Sequence, residues 1–567
     1  MRCLLFLFLT FSQIAIAQLK YPTDAFRPPL DIPIVLAGTF GELRSNHFHS
    51  GIDIKTQQRE GLPIYAIGDG SISRIKIQHY GFGKALYITH TNGFISVYAH
   101  LQKFAPEIEE YVKKQQYDRE SYEIQLYPEA STFPLKKGDL IAYSGNTGGS
   151  SGPHLHFEIR NSSDVPVNPL LFGLDAEVKD SQPPLVQSLF AYSINDNSQV
   201  NQCSDIIQIN YKQQNDGTFL ADKIYASGLI GFGISSYDRQ DLAYNKNGVY
   251  KVEMLVNGKP HFSYNFEKFS FGESRYINSL IDYKYYQQKN ERIQQCFITP
   301  GNKLSVYEGV IDNGIIKIEE GLHYNLEIRI KDFHENETII KIPVEGKTQE
   351  VLTKKEVLVT NDYLIAEKDN AYKIGKASVF FPANTFYDDF YIDLKDEGES
   401  VVIHNDEMPV HKNFTLSFDV SNYGPEEKKQ LFIANVSDRG RLSYESTVKR
   451  GNTFSTRTKS LGRFTIAKDS VPPSIKPLNF YDGQWISNYR YLKVKVDDDL
   501  TGLDEYRATI NGKWILMEYE YKDRSLTFDF NDIEFEGTKH DLEVIVTDKV
   551  GNSIKLLATI YRKILNN

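Results

Sequence analysis

The chain has 567 residues, 41% hydrophobic and 24% charged, with a formal net charge of −10. That length exceeds a single core and predicts three to five domains. The acidic balance excludes a general nucleic-acid binder, which needs a basic footprint. Thirty-six tyrosines and 34 phenylalanines against four methionines predict many half-buried strands, because aromatic side chains suit a pleated surface.

At the N-terminus, Arg2 precedes an almost unbroken apolar run from Leu4 to Ile16, and Ala15-Ile16-Ala17 places small residues where a signal peptidase reads. Residues 1–17 read as a signal peptide cut before Gln18. No later run reaches the ~18 apolar residues of a membrane span. Cys3 stands ahead of the apolar run, so it cannot be the lipid-bearing cysteine of a lipoprotein signal. The mature chain is therefore expected to be exported, to the periplasm, the cell envelope or the outside. Its two remaining cysteines, Cys203 and Cys296, fit either one disulfide or two free buried thiols.

After a proline-rich lead-in from Tyr21 to Pro33, short strand-like runs follow at Tyr65–Ile67, Ile72–Ile77, Leu86–His90 and Phe94–Leu101. Asn92-Gly93 is the turn signal of a hairpin joining the last two. Alternation along Phe94–Leu101 puts Phe94, Ser96, Tyr98 and His100 on one face and Ile95, Val97, Ala99 and Leu101 on the other, taken as the core side. Residues 104–133 interrupt the pattern with a short amphipathic helix opening at Pro106, then a strand over Tyr122–Tyr127. This insertion reads as a surface excursion; the alternative is a wall of the substrate groove. Strand sequence resumes at Leu140–Ser144. The glycine-rich loop Gly145–Gly152 lacks the Gly-Lys-Ser/Thr ending of a phosphate-binding loop.

That loop leads into His154-Leu155-His156-Phe157-Glu158-Ile159-Arg160. Period 2 gives it a polar face of His154, His156, Glu158 and Arg160 and an apolar face of Leu155, Phe157 and Ile159. Two imidazoles on one strand face lie about 7 Å apart, which lets one bind a metal while the other reaches a water on it.

Beyond about Leu174 the chain repeats itself. Lys179–Pro184 recurs as Lys468–Pro473, Val256–Lys259 resembles Ile510–Lys513, and Leu326–Asp332 resembles Leu542–Asp548. Three matches in one order indicate two copies of a module, each running from a Pro-Pro entry to a strand ending in Asp. The expected architecture is all-β: an N-terminal antiparallel β domain at 18–175 with a small helical insertion near 104–133, followed by three β-sandwich modules at 180–345, 346–467 and 468–567. The Pro-Pro pairs are expected to act as stiff linkers.

His47-Phe48-His49-Ser50-Gly51-Ile52-Asp53 supplies further metal ligands. A catalytic Zn²⁺ takes three protein ligands and keeps one open position. His49 and Asp53 with one histidine of the His154/His156 pair form such a set. No His-Glu-x-x-His occurs, so the helix-borne zinc site is excluded. Here the sequence resembles the M23 family of peptidases, the LytM/lysostaphin-type zinc endopeptidases that cleave peptidoglycan peptides. The resemblance rests on His49-x-x-x-Asp53, Tyr98-Ala99-His100-Leu101, Ser144-Gly145-Asn146-Thr147-Gly148 and Gly152-Pro153-His154-Leu155-His156-Phe157-Glu158, and covers about Ile34 to Leu171. The later modules look like bacterial immunoglobulin-like domains.

The resemblance implies one Zn²⁺ per chain held by His49, Asp53 and His156, with His154 as general base and His100 its partner. How those two imidazoles divide proton transfer and oxyanion stabilisation stays open at this point. His47 reads as a rim or packing residue, because only His49 has the i, i+4 spacing to Asp53. His90 reads as structural and His79 as exposed. Glu158 fits both a ligand-orienting role and a solvated strand carboxylate. The implied substrate is peptidoglycan peptide, with the β modules available for other envelope proteins and no nucleic acid or membrane span involved. The competing class is a non-catalytic envelope or adhesion protein, or an activator of other wall hydrolases, working through its β modules.

Overall fold

A computed structural model describes residues 21–563; the expected signal peptide and Cys3 lie outside the described residues. Strands dominate. The N-terminal domain is built on an antiparallel sheet whose order across is Leu36–Gly38, Ile52–Lys55, His154–Arg160, Ile95–Ala99, Lys84–His90, Gly70–Ile77 and Ile124–Leu126. A second sheet of Pro63–Tyr65, Leu140–Tyr143 and Lys103–Phe104 closes the core. Leu155, Phe157, Ile159, Ile52, Ile54 and Tyr98 are buried together on one face of the main sheet, as the alternation of the His154–Arg160 strand requires.

The Ile95–Ala99 strand departs from expectation. Ala99 lies opposite His156 and Tyr98 opposite Phe157. Directly opposed residues share a face, so Tyr98 belongs to the core and Val97 and Ala99 to the side of His156. Strict alternation would then bury His100 with Tyr98. The strand instead ends at Ala99, and His100 takes a left-handed φ of 58°. That one residue breaks the alternation and turns the imidazole to the side of His154 and His156.

The insertion holds one 14-residue helix, Pro106–Arg119, longer than expected. Pro106 opens it, Glu107 and Glu109 favour its N-terminus, and Glu120 ends it in the left-handed conformation. Ile108, Val112 and Gln116 bury one stripe. Strand pairing of Ile124–Leu126 to the Gly70–Ile77 strand then extends the main sheet.

Residues 185–346 form a large mixed sheet with a helical excursion at Ser274–Lys289. Its core is continuous with that of the N-terminal domain: Phe48 packs on Phe266 and Phe269, and Phe40 on Phe269. The Pro183-Pro184 pair therefore feeds straight into the strand Leu185–Ser193 rather than spanning a gap. Two five-stranded sheets enclose a separate core over residues 364–464, and a four-stranded and a five-stranded sheet enclose another over 480–560. The repeated segments occupy matching places. Asn257-Gly258 and Asn511-Gly512 both turn with positive φ, and the strands His323–Lys331 and Lys539–Asp548 each pair with the strand leading into that turn. Cys203 and Cys296 are both free and buried.

The last unit folds back on the first domain. Leu516 joins the N-terminal core. Trp514 meets Tyr117 at 5.3 Å, Arg507 pairs with Glu120 at 2.6 Å, and Lys113 bonds Asp532. The insertion thus serves as the platform on which the C-terminal unit rests. His79, expected exposed, is half-buried here, stacked on Tyr122 and edged by Tyr519.

Candidate active site and metal centre

The central position of the His154–Arg160 strand fixes the site. Its register sets His156 directly opposite Asp53, so those side chains emerge together from one face. His49 arrives from the preceding loop, where its amide bonds the Glu42 carbonyl and its carbonyl accepts from Gly41. Gly51 is needed on this path: a Cβ there would lie 2.3 Å from the Phe157 carbonyl oxygen.

Three ligand-type atoms meet. His49 Nε2 is 3.0 Å from Asp53 Oδ1 and 3.0 Å from His156 Nδ1, and His156 Nδ1 is 2.9 Å from Asp53 Oδ1. The outer nitrogens decide what these atoms offer. His49 Nδ1 lies 2.8 Å from the Thr39 carbonyl, and His156 Nε2 lies 2.9 Å from Glu158 Oε1. Both partners only accept, so each outer nitrogen donates and each neutral ring presents a lone pair inward. Two imidazole lone pairs and a carboxylate oxygen converging on one point repel each other unless a cation sits among them. The nitrogen and oxygen donor set fits a divalent metal such as Zn²⁺.

A second ring of contacts locks these groups. Asp53 Oδ2 accepts from Arg44 at 3.0 Å. Glu158 is fully buried; Ser50 Oγ donates to its Oε1 at 2.5 Å and Arg160 Nε to its Oε2 at 2.6 Å. Its role as a solvated carboxylate is thereby excluded. Burial alone would raise the Asp53 carboxyl, but the surrounding His49, His154 and His156 hold it well below the usual carboxylate range. Burial likewise opposes ionisation of Glu158, yet Arg160 and His156 bring it down to about 2. Burial would lower His156, but bonds to Asp53 and Glu158 outweigh it and raise the ring to about 9. Such affinity for a proton marks a place where positive charge is wanted.

His154 and His100 stand beside this cluster. His154 Nε2 is 3.5 Å from Asp53 Oδ1, and its Nδ1 donates to the Gly152 carbonyl at 2.9 Å, with Ser150 Oγ at 3.1 Å. The His100 ring is 4.8 Å from that of His154 and 5.9 Å from that of His156. Its Nδ1 donates to the Thr147 carbonyl at 2.8 Å. Burial, reinforced by His156 and His154, lowers His100 to about 3, so it is neutral. The glycine-rich loop therefore carries the partners of both imidazoles. It can do so because Gly148 passes over Gly83, where a Cβ would lie 2.3 Å from the Gly83 amide nitrogen.

Lys522 of the C-terminal unit reaches this loop from above. Its Nζ bonds the Asn146 carbonyl and lies 3.4 Å from that of Gly148 and 3.5 Å from that of Ser150. Glu518 of the same unit meets the buried Lys84 at 2.9 Å.

All five residues expected at the site are thus brought together. His47 is exposed, with its ring Nδ1 2.9 Å from the Ser45 carbonyl, while His90 sits between Ser96 and the Asp69 carbonyl against Phe26. Arg44, Thr39, Thr147 and Lys522 were not anticipated. Glu158 alone had a signal, its shared parity with His156.

Residues 47–117 and 132–169 match Peptidase family M23. These residues carry a peptidase M23 domain. The match skips residues 118–131, inside the insertion on which the C-terminal unit rests. Residues 361–469 match the Zu5-like domain. A DD-carboxypeptidase/endopeptidase, Mpg, of Neisseria meningitidis is 33% identical over 132 residues, 23% of this chain and 24% of that protein. A peptidoglycan DD-endopeptidase, ShyB, of Vibrio cholerae is 33% identical over 111 residues, 20% of each chain. The chain thus spans about a quarter of the length of the curated relatives it matches. The catalytic domain of lysostaphin from Staphylococcus simulans aligns at 23% identity and a TM-score of 0.19, covering 24% of this chain and 91% of that one.

Proposed function

We propose that this chain is an exported, zinc-dependent endopeptidase that hydrolyses peptide bonds in peptidoglycan stems or cross-links. The observation that carries the reading is the convergence of His49 Nε2, His156 Nδ1 and Asp53 Oδ1 within 3.0 Å, each backed by a group that fixes its lone pair inward. These three would hold the metal. Zn²⁺ bound there supplies Lewis acidity toward a peptide carbonyl and a water acidified to a pKa of about 7. The M23 domain match and the relative named a peptidoglycan DD-endopeptidase support the substrate class.

The chain's own residues do the proton work. His154 is the general base. The Gly152 carbonyl holds its Nδ1–H, leaving Nε2 free beside Asp53 to take a proton from the attacking water and return it to the leaving amine. His100, neutral and bonded to Thr147 through Nδ1, offers its Nε2 as an acceptor on the same side and orients that proton. Glu158 and Arg44 keep His156 and Asp53 from swinging away. We read residues 18–175 as the peptidase domain and 180–345, 346–467 and 468–567 as β modules. The last of these steadies the catalytic loop through Lys522, and the others present surfaces to envelope components. Among the described residues no helix is long and apolar enough to cross a membrane, and the leader-like residues 1–17 support export.

Metal content of the purified full chain tests this reading. One zinc per chain, with wall-degrading activity lost to a chelator and restored by Zn²⁺, is the expected result. A chain that binds no zinc returns the non-catalytic envelope reading to first place.

A further inference from the structure

An acidic triad recurs at the same place in the two related β units. In the first unit Asp180 precedes the Pro183-Pro184 entry, Asp238 follows the strand Ile224–Tyr237, and Asp332 follows the strand His323–Lys331. In the second unit the residues are Asp469, Asp498 and Asp548. Within each triad, one oxygen from every carboxylate lies within 4.8 Å of the others.

The second triad is satisfied by the protein itself. Asp498 Oδ2 accepts the amides of Leu500, Thr501 and Gly502 at 3.2, 2.9 and 2.7 Å. Asp548 accepts from the Val550 and Asn552 amides, both at 2.9 Å, and from Asn552 Nδ2 at 2.7 Å. Asp469 accepts from the Val471 amide at 3.1 Å and from Thr501 Oγ1 at 2.9 Å.

The first triad is not. Asp332 keeps the matching bonds, to the Asn336 amide at 2.9 Å and Asn336 Nδ2 at 2.7 Å, and Asp180 accepts from the Gln182 amide at 3.2 Å. Asp238 is only 2% exposed, and its Oδ1 is buried with no hydrogen-bond partner. Its other carboxyl contacts are the Arg239 amide and the Asp180 carboxyl, which it can bond only by sharing a proton. Where Thr501 stands three residues past Asp498, Asp241 stands three past Asp238. Among the described residues, no lysine or arginine forms an ion pair with any of the three. All three line one cavity of about 20 Å³, room for a single water or ion. Burial and mutual charge raise Asp238 to about 8 and Asp180 to about 6, and burial raises Asp332 as well. Three such groups cannot ionise together without a countercharge.

We propose that Asp180, Asp238 and Asp332 form a second metal site, for a hard divalent cation of the Ca²⁺ class. The donors are carboxylate oxygens, with no thiol, and the nearby His334 ring already faces the Asp175 carbonyl at 3.4 Å, so the site suits Ca²⁺ rather than Zn²⁺. It lies at the joint of the catalytic domain and the first β unit. Thr39 and Phe40 share the cavity wall, and Gln240 accepts the Leu36 amide at 3.3 Å. A cation there would fasten the entry segment of Asp180 to the ends of two strands and stiffen that joint. This site stands independently of the zinc chemistry.

The test uses the full chain, stripped with a chelator and resupplied with one equivalent of zinc, with CaCl₂ alone as the probe. Saturating Ca²⁺ is expected to raise Tm by about 5 °C. Asp238→Asn should lose that rise and Asp498→Asn should keep it. No rise in the unmutated chain would mean that the carboxylates merely share protons, and overturns the site. A full rise in Asp238→Asn overturns it too. If Asp238→Asn does not fold, Asp180→Asn, at a half-buried position, carries the same comparison by calorimetric Ca²⁺ stoichiometry. One Ca²⁺ per unmutated chain and none in Asp180→Asn supports the site, and equal uptake by both overturns it.

Discussion

The His49, Asp53 and His156 cluster and the Asp469, Asp498 and Asp548 cluster each gather three metal-capable residues within 4.8 Å, yet they are built for opposite ends. In the acidic cluster, backbone amides and the Thr501 hydroxyl already point at the carboxylate oxygens. Those carboxylates brace turns. In the histidine cluster every available donor is on the outside: Thr39 and Glu158 take the outer ring protons, and Arg44 takes the far oxygen of Asp53. The lone pairs are left facing one another. What separates a group able to hold a metal from a structural knot is therefore where the neighbouring hydrogens point, and proximity of ligand-type residues does not decide it.

That contrast can be broken from either side. His156→Ala removes an inward lone pair and should abolish both bound zinc and cleavage, a loss of about 10³-fold or more in activity; zinc analysis beside a turbidity assay on peptidoglycan reads both. His154→Ala leaves all three inward atoms in place, so it should keep the metal and lose about 10²–10⁴-fold in kcat. Equal zinc loss in the two variants would show that the imidazoles have been given the wrong tasks. Glu158→Gln removes the negative charge behind the outer nitrogen of His156 and should weaken zinc binding about 10–100-fold, measured by competition with a chromogenic chelator. Lys522→Ala loosens the loop behind His100 and His154 without touching the ligands. A several-fold fall in kcat at full zinc content is expected, with Lys522→Arg restoring part of it. In the acidic cluster, Asp498→Ala should leave zinc and activity unchanged while costing about 1–3 kcal/mol of stability through its orphaned amides, seen as a lowered Tm.

Much of this was legible in the sequence because two periodicities carry it. The His154–Arg160 strand alternates cleanly, and its core face falls where period 2 puts it. The i, i+4 spacing of His49 and Asp53 survives as a 3.0 Å contact. His100 shows the limit. Alternation over Phe94–Leu101 put Ser96 and Tyr98 on the polar side, whereas both are fully buried. Only the left-handed turn at His100 itself brings its ring to the site, and such a turn is uncommon enough at any non-glycine residue that strand alternation takes no account of it. Lys522 and Glu518 were out of reach for another reason. Their partners Asn146 and Lys84 lie hundreds of positions away, and nothing local to Tyr521-Lys522 distinguishes a docked turn from a solvated one. The insertion was visible as an interruption; that it bears the C-terminal unit follows only from packing.

Mass spectrometry of fragments released from defined peptidoglycan by the full chain tests the central claim most directly. New free amine termini at stem or cross-link peptide bonds, present with zinc and absent from the His154→Ala digest, are the predicted result. Intact peptide stems and cross-links from the zinc-loaded chain would contradict it.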